Sequence, residues 1–214
     1  MAKQRWRSIT ARSVLAVEGE DERNFFDRLL RHIGLAGVQI ESVGGKNQFP
    51  ERLPALLRAP GFFEADGSPW VKNLAVVRDK DGDNAFESIV NIVKRAGLTP
   101  PDEHGAFSDG SPGVGIFVMP GETIDGTMLE DLCLKTVQDH EAMPCVEQFA
   151  SCVGDLPSVP RNMAKAKAQV FKAQVFLAAQ TDTVDAVGLG AQKGYWDFDS
   201  PALAELKAFL EHLR

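Results

Sequence analysis

The sequence predicts an α/β fold in which a mostly parallel sheet of four strands, or slightly more, carries helices on both faces and further helices at its carboxyl-terminal end. Three observations favour this fold. Four short apolar runs have the composition of buried strands, segments with helical apolar spacing follow them, and glycine- or proline-rich turns separate the units. Strands that alternate with helices form right-handed crossovers, which place the strands parallel in one sheet.

The first half of the chain supplies two strand and helix pairs. Residues 13–17 are a continuous apolar run, and residues 38–43 alternate between apolar and polar types before two glycines. The apolar residues between and after these runs recur at helical spacing. The predicted elements, in order, are a strand at 13–17, a helix at 20–33, a strand at 38–43 and a helix at 49–57.

The second half repeats the pattern and then becomes helical. Two more pairs are a strand at 73–77, a helix at 86–93, a strand at 114–119 and a helix at 127–137. Further along, the predictions are an irregular segment at 144–160, a helix at 162–180, a glycine loop at 190–194, an N-cap at Ser200 and a last helix at 202–213.

Length and composition indicate one domain of 214 residues, with a core at 12–135 and a helical extension at 136–214. The net charge of −7 argues against a broad footprint for duplex DNA, although a metal site built from carboxylates would account for much of it. The three cysteines have no spacing typical of disulfide frameworks or zinc sites. No apolar run is long enough for a membrane helix or a signal peptide, so we expect a cytoplasmic protein without a membrane partner.

Acidic residues follow the first predicted strand. Glu18 comes directly after it, Gly19 lets backbone approach a ligand, and Glu22 lies one helical turn further on. Open α/β sheets bind ligands at the carboxyl ends of their strands, so Glu18 and Glu22 are candidate ligands. Taken alone, these acids are more typical of a helix N-terminus than of a ligand site, and Glu20 and Asp21 are expected to cap or face solvent.

A second acidic segment follows the most apolar strand. Asp79, Asp81 and Asp83 alternate with other residues, and Gly82 permits a sharp turn. Because both segments leave parallel strands at the same edge, their carboxylates are expected to converge. Oxygen ligands of this kind suit hard cations such as Mg²⁺ or Mn²⁺.

These residues resemble the toprim fold, the catalytic module shared by topoisomerases, DnaG primases and OLD-family nucleases. The matching pattern is a strand that ends in Glu18-Gly19 and a later strand that ends in Asp79-Lys80-Asp81. Glu22 resembles the second acidic position of the OLD nucleases, and Gly44-Gly45 resembles the toprim glycine turn. The chain looks closest to small stand-alone bacterial toprim-like proteins of uncharacterised function.

The resemblance implies roles for the matched residues. Glu18 would act as a general acid or base, and Asp79 and Asp81 would bind magnesium. It also implies nucleic acid as a partner and, as in OLD systems, an ATPase, here encoded separately. The oligomeric state is left open, because a shared fold does not fix the assembly or the reaction.

Other residues are candidates by position. Glu130 would supply a further metal ligand, although a helix start is an equally good explanation. Lys193, in the glycine loop, is the predicted catalytic cation that stabilises phosphate charge. Gly19 and Gly45 are predicted to let backbone approach a phosphate, and Lys46, at a helix start after two glycines, is the second candidate cation for the phosphate charge.

The sequence therefore predicts a Mg²⁺-dependent enzyme that cleaves phosphodiester bonds in nucleic acid. Two alternatives stay open at this point. One is a non-catalytic module that binds metal, nucleotide or a protein partner, and the other is a phosphatase-like enzyme for small phosphoesters.

Overall fold

A computed structural model of the chain describes residues 6–80, 84–156 and 165–214. Within these residues the strands are β1 (Ser13–Val17), β2 (Val38–Ser42), β3 (Asn73–Asp79) and β4 (Gly113–Met119). The helices of the same part of the chain are α1 (Glu20–His32), α2 (Phe49–Leu56), α3 (Ala85–Arg95), α4 (Leu129–Thr136), α5 (Met143–Gly154), α6 (Lys165–Ala178), α7 (Val187–Lys193) and α8 (Ala204–Glu211).

The strands form one parallel sheet in the order β2-β1-β3-β4. Ser13 of β1 is in register with Val38 of β2 and with Asn73 of β3, and Asn73 is in register with Gly113 of β4. All four carboxyl ends therefore lie at one edge of the sheet, and the four amino ends lie at the other. The predicted α/β fold with a parallel four-stranded sheet is confirmed.

Both faces of the sheet are covered, which explains why the middle residues of β1 and β3 are apolar. Leu15 and Val77 lie in the hydrophobic core formed with α1, α4 and the later helices. Val14 and Val76, on alternate positions, lie in the second core with α2 and α3. Since successive side chains of a strand point to opposite faces, a strand between two helical layers needs apolar residues at every position.

Two predicted elements are wrong. The segment predicted as irregular contains the helix α5, because Pro144 lies in its first turn, where proline is compatible with a helix. The predicted glycine loop is instead the end of α7 and its cap at Gly194. In contrast, the predicted N-cap at Ser200 is confirmed, since its hydroxyl accepts a hydrogen bond from the N–H of Ala202 at 3.3 Å.

In the part of the chain that the structure describes, no helix has both the length and the apolar character needed to cross a membrane.

Candidate functional site

The carboxyl ends of β1 and β3 lie side by side, with Ala16 in register with Val76. Glu18 directly follows the last residue of β1, and Asp79 is the last residue of β3. The topology therefore brings Glu18 and Asp79 to neighbouring positions at one edge of the sheet, as the sequence predicts.

Glu18 is fixed by the turn that follows β2. Its carboxylate Oε1 accepts a hydrogen bond from the backbone N–H of Lys46 at 3.0 Å. Its main-chain oxygen accepts from the N–H groups of Gly44 at 3.0 Å and Gly45 at 2.8 Å. The φ angles of Gly44 and Gly45, 87° and 114°, favour glycine at both positions. The N–H groups of Gly45 and Lys46 thus hold Glu18 in this structure.

Glu22 closes the first turn of α1. Its Oε2 accepts a hydrogen bond from the N–H of Gly19 at 2.8 Å, so Gly19, predicted to let backbone approach a phosphate, takes part in the helix cap in this structure. A Cβ atom at position 19 would lie 2.9 Å from that oxygen, which explains the glycine. Glu22 is 9% exposed. Burial, together with the charges of Glu18 and Asp21, raises the pKa of Glu22 to about 7.

Asp79 contacts the start of α4 across the edge of the sheet. Its Oδ1 accepts a hydrogen bond from the N–H of Leu129, the first residue of that helix, at 3.1 Å. Asp131, which is buried, accepts from the N–H groups of Thr127 at 2.8 Å and Met128 at 3.1 Å. Two carboxylates therefore meet the positive end of α4, an arrangement that stabilises them both.

Asp21 and Glu130 are half-buried and electrostatically coupled. Burial raises the pKa of Glu130, and the charges of Asp21 and Asp131 raise it further. Burial also raises the pKa of Asp21, although its Oδ1 accepts a hydrogen bond from the N–H of Gly188 at 3.2 Å. The sequence assigned Asp21 to capping or solvent, but the structure uses it to tie α7 to α1.

Cys133 shows how these acids are arranged. This residue is fully buried in α4, and burial raises the pKa of its thiol. The charges of Glu130, Asp21, Asp79 and Glu22 raise the same pKa further, in that order. The charges of acids from α1, β3 and α4 therefore all act on this thiol.

We call this set the carboxylate cluster, and its members are Glu18, Asp21, Glu22, Asp79 and Glu130. The oxygen donors and their mutual repulsion fit a hard cation, because bound positive charge would relieve the repulsion. In residues 6–80, 84–156 and 165–214, however, no three His, Cys, Asp or Glu side chains are arranged as a metal site. The predicted ligands Asp81 and Asp83 lie outside these residues. The described carboxylates alone therefore do not form a metal site.

Lys193 is not brought to the carboxylate cluster. It lies in the last turn of α7, where its Nζ pairs with Asp182 at 2.9 Å on the surface. The first turn of α7 is the one that meets Asp21, since Gly188 donates to that residue. The prediction of a catalytic Lys193 rested on a glycine loop, and the helix found there directs the lysine to Asp182.

Arg78 is a site residue that the sequence analysis missed. It precedes Asp79 in β3 and is 9% exposed, and its Nε donates to the main-chain oxygen of Asp79 at 3.2 Å. Its guanidinium lies 5.6 Å from the centre of the Phe49 ring. Among the described residues Arg78 has no ion-pair partner. An arginine that directly follows the apolar run 74–77 and still lies within the strand was the sequence signal for it.

Comparisons with known proteins place the chain among proteins without an assigned function. A family described as a protein of unknown function, DUF3226, matches residues 12–214. The comparison with curated proteins finds no match.

Solved structures similar to the chain include a hypothetical protein, PH0156, from Pyrococcus horikoshii OT3. Its TM-score is 0.50 at 15% identity, with 94% of this chain and 97% of that chain covered. The C-terminal region of the Xanthomonas campestris pv. campestris OLD protein is also similar, with a TM-score of 0.42 at 19% identity over 95% of this chain and 92% of that chain. The likeness to PH0156 shows the fold.

Proposed function

The chain belongs to the DUF3226 family of proteins of unknown function, and we propose that it is a Mg²⁺-dependent enzyme that cleaves phosphodiester bonds in nucleic acid. The observation that carries the proposal is the carboxylate cluster at the carboxyl edge of β1 and β3. Three of its members have raised pKa values, Asp21, Glu22 and Glu130. Groups of perturbed pKa at a sheet edge where α/β folds bind ligands are typical of functional sites.

The proposed metal ligands are Asp79, Glu18 and Glu22, with Asp81 and Asp83 as further donors from the segment that follows β3. Mg²⁺ or Mn²⁺, when bound, would supply Lewis-acid stabilisation of the phosphate charge and activate water for attack. Glu130 is a further ligand in this proposal, because its half-buried carboxylate is repelled by Asp21 and Asp131 and would gain from a nearby cation.

Glu18 is the proposed general acid or base. The hydrogen bond from the Lys46 N–H holds one of its oxygens, and this contact fixes the direction of the carboxylate without neutralising it. Positioned carboxylates accelerate proton transfer by about 10²–10⁴-fold. In this role Glu18 would take a proton from the attacking water and return one to the departing oxygen.

Arg78 replaces Lys193 as the proposed cation for the phosphate charge. Its Nε is held by the main chain of Asp79, and its guanidinium has four further N–H donors for phosphate oxygens. A guanidinium matches phosphate geometry well, since it donates two parallel hydrogen bonds. Arg78 lies next to Asp79 at the carboxyl end of β3, and its side chain points to the opposite face of the sheet, toward Phe49.

The proposal is tested with Mg²⁺ and three substrates, supercoiled DNA, bis-p-nitrophenyl phosphate and p-nitrophenyl phosphate. We expect the wild type to nick DNA and hydrolyse the diester, and Glu18→Gln to lose about 10²-fold or more of that activity. The double variant Asp139→Asn with Glu141→Gln removes two exposed acids outside the cluster and should keep full activity.

Three results would contradict the proposal. Full activity of Glu18→Gln would remove Glu18 from catalysis. Hydrolysis of the monoester alone would indicate a phosphatase of small phosphoesters. An inactive wild type that still binds Mg²⁺ would indicate a non-catalytic binding module, an alternative that the incomplete ligand set in the described residues favours.

A further inference from the structure

A wide groove runs along the outer edge of β2, on a part of the molecule that the proposed site does not use. It encloses about 1270 Å³ and continues past the amino ends of β1 and β3. Five basic side chains line it against two acidic ones, Asp27 and Glu41, and the basic ones are Arg7, Arg12, Arg23, Lys72 and Arg214. The groove is therefore positively charged in a chain whose net charge is −7.

Arg12 and Lys72 lie side by side at the amino edge of the sheet. They directly precede β1 and β3, and the N–H of Lys72 donates to the main-chain oxygen of Arg12 at 2.7 Å. The Arg12 guanidinium stacks 3.6 Å from the centre of the Trp70 ring and donates to the Trp70 carbonyl at 3.2 Å. This packing holds the charge of Arg12 in one place before any ligand binds.

Among the described residues, two of the five groove cations are ion-paired, Arg23 with Glu20 at 3.2 Å and Arg214 with Glu211 at 2.8 Å. Lys72 Nζ donates to the carbonyl of Pro69 at 3.4 Å, so its contact, like that of Arg12, is with a neutral group. Among the described residues, neither Arg7, Arg12 nor Lys72 forms an ion pair with a carboxylate. Three positive charges are therefore available to an anion that enters the groove.

One wall of the groove is formed by the first two turns of α1. Arg23 lines it and directly follows Glu22 in α1, and Asn24 and Asp27 continue the wall along the same helix. A chain of anions lying in the groove would thus extend from the first turn of α1 to Arg12 and Lys72. This direction leads a long ligand toward the carboxyl edge of β1.

The residues that line the groove indicate the class of ligand that it binds. Arginine, lysine, serine, threonine, asparagine and glutamine side chains line the groove, and these are the groups that contact phosphates in nucleic-acid complexes. No aromatic side chain of the described residues lines it, so base stacking is not offered. The lining suits a phosphate backbone and does not read bases.

We propose that this groove binds the phosphate backbone of a nucleic acid strand and leads that strand to the carboxylate cluster. The choice of nucleic acid over other polyanions rests on the proposed function. It adds a binding surface at the opposite edge of the sheet, separate from the groups proposed for chemistry.

The test measures binding of fluorescently labelled single-stranded and duplex DNA by anisotropy, at low salt and in EDTA. Two charge-reversal variants are compared, Arg12→Glu with Lys72→Glu, and Arg7→Glu with Lys72→Glu. The second spares the contact between Arg12 and Trp70 and guards against a folding defect. The control, Lys94→Glu with Lys135→Glu, makes the same change of net charge at exposed residues outside the groove.

We expect both groove variants to bind DNA at least about tenfold more weakly than the wild type. For the single strand, the slope of log affinity against log salt concentration should be shallower by about 1 to 2. The control should bind as the wild type does. Wild-type affinity in the groove variants, an equal loss in the control, or no binding by the wild type would overturn the proposal. So would unchanged DNA binding with altered self-association in sedimentation, because a second copy would then occupy the groove.

The two proposals fail separately. Binding in EDTA needs no metal, so weaker binding by the groove variants would support the groove even if the wild type cleaves nothing. Conversely, DNA cleavage by the groove variants with wild-type kcat/KM would overturn the groove and leave the proposed enzyme intact.

Discussion

At the scale of single residues, the same carboxylates serve the fold and the proposed chemistry. Glu22 caps α1 through Gly19 and belongs to the carboxylate cluster. Asp79 binds the first N–H of α4 and ends the central strand β3. These contacts fix the side chains in the folded protein. Burial, together with repulsion by Glu18 and Asp21, therefore raises the pKa of Glu22.

Glu22 should make the metal-free protein less stable as pH rises. Its pKa is about 7 in the folded chain and 4.5 ordinarily, so between these values the folded chain keeps a proton that the unfolded chain has lost. That proton favours folding at low pH, and the advantage disappears as pH rises through about 7. We expect urea unfolding in EDTA to show a loss of about 1 to 3 kcal/mol from pH 5 to pH 8.

Glu22→Gln is the matched control for this loss. The amide oxygen of glutamine still accepts from the Gly19 N–H, but it does not titrate. The variant should keep a smaller decline caused by Asp21 and Glu130, whose pKa values are raised in the same direction. A wild type whose stability increases over this pH range, or a variant with the full wild-type loss, would contradict the assignment.

The sequence predicted the site residues whose positions follow from strand ends. Glu18 and Asp79 each end a strand, and parallel strands share an edge, so their proximity required only the order of elements. Asp21 and Arg78 could not be predicted in the same way, because their roles depend on long-range packing. Asp21 is fixed by Gly188, which lies 167 positions along the chain. Lys193 was misplaced because its loop is a helix.

At the scale of elements, α7 packs closely against α1 at Gly188. A Cβ atom there would lie 2.4 Å from the main-chain oxygen of Asp21 and 2.9 Å from the Cβ of Asn24. Glycine lets the two backbones approach, and this approach allows the Gly188 N–H to reach the Asp21 carboxylate. The glycines of α7 therefore serve packing, and not the phosphate loop that the sequence predicted.

Gly188→Ala should destabilise the protein by about 1 to 3 kcal/mol, because the added methyl group overpacks against backbone that cannot yield easily. Equilibrium urea unfolding measures this change. Gly154→Ala, at the end of α5, is the control, since a Cβ there meets no atom within 4 Å. It should leave stability unchanged or slightly higher. Equal effects of the two substitutions would contradict the proposed contact.

The predicted strands and most predicted helices match the structure because burial on both faces leaves a clear apolar signal. β1 and β2 begin at Ser13 and Val38, where the sequence placed them. α5 was missed because it is only partly buried and carries Pro144 in its first turn, which read as a break. Helices with little buried surface give a weak periodic pattern, so sequence analysis detects them poorly.

At the scale of the whole molecule, opposite charges collect at opposite edges of the sheet. Carboxylates follow β1 and β3, while Arg12 and Lys72 precede the same two strands. A parallel sheet makes this separation possible, because every strand contributes one end to each edge. Although the net charge is −7, one surface of the protein is basic. Net charge alone therefore does not indicate which ligands the protein attracts.

We propose above that the carboxylate cluster binds a divalent cation. Calorimetric titration of Mn²⁺ at neutral pH tests this most directly. The titration compares the wild type with Asp79→Asn and uses Asp139→Asn as the control. We expect saturable Mn²⁺ binding by the wild type and by the control. Binding by Asp79→Asn should be at least about tenfold weaker, since a neutral amide is a poorer ligand for a hard cation. No binding by the wild type, or equal affinity in Asp79→Asn, would contradict the proposal.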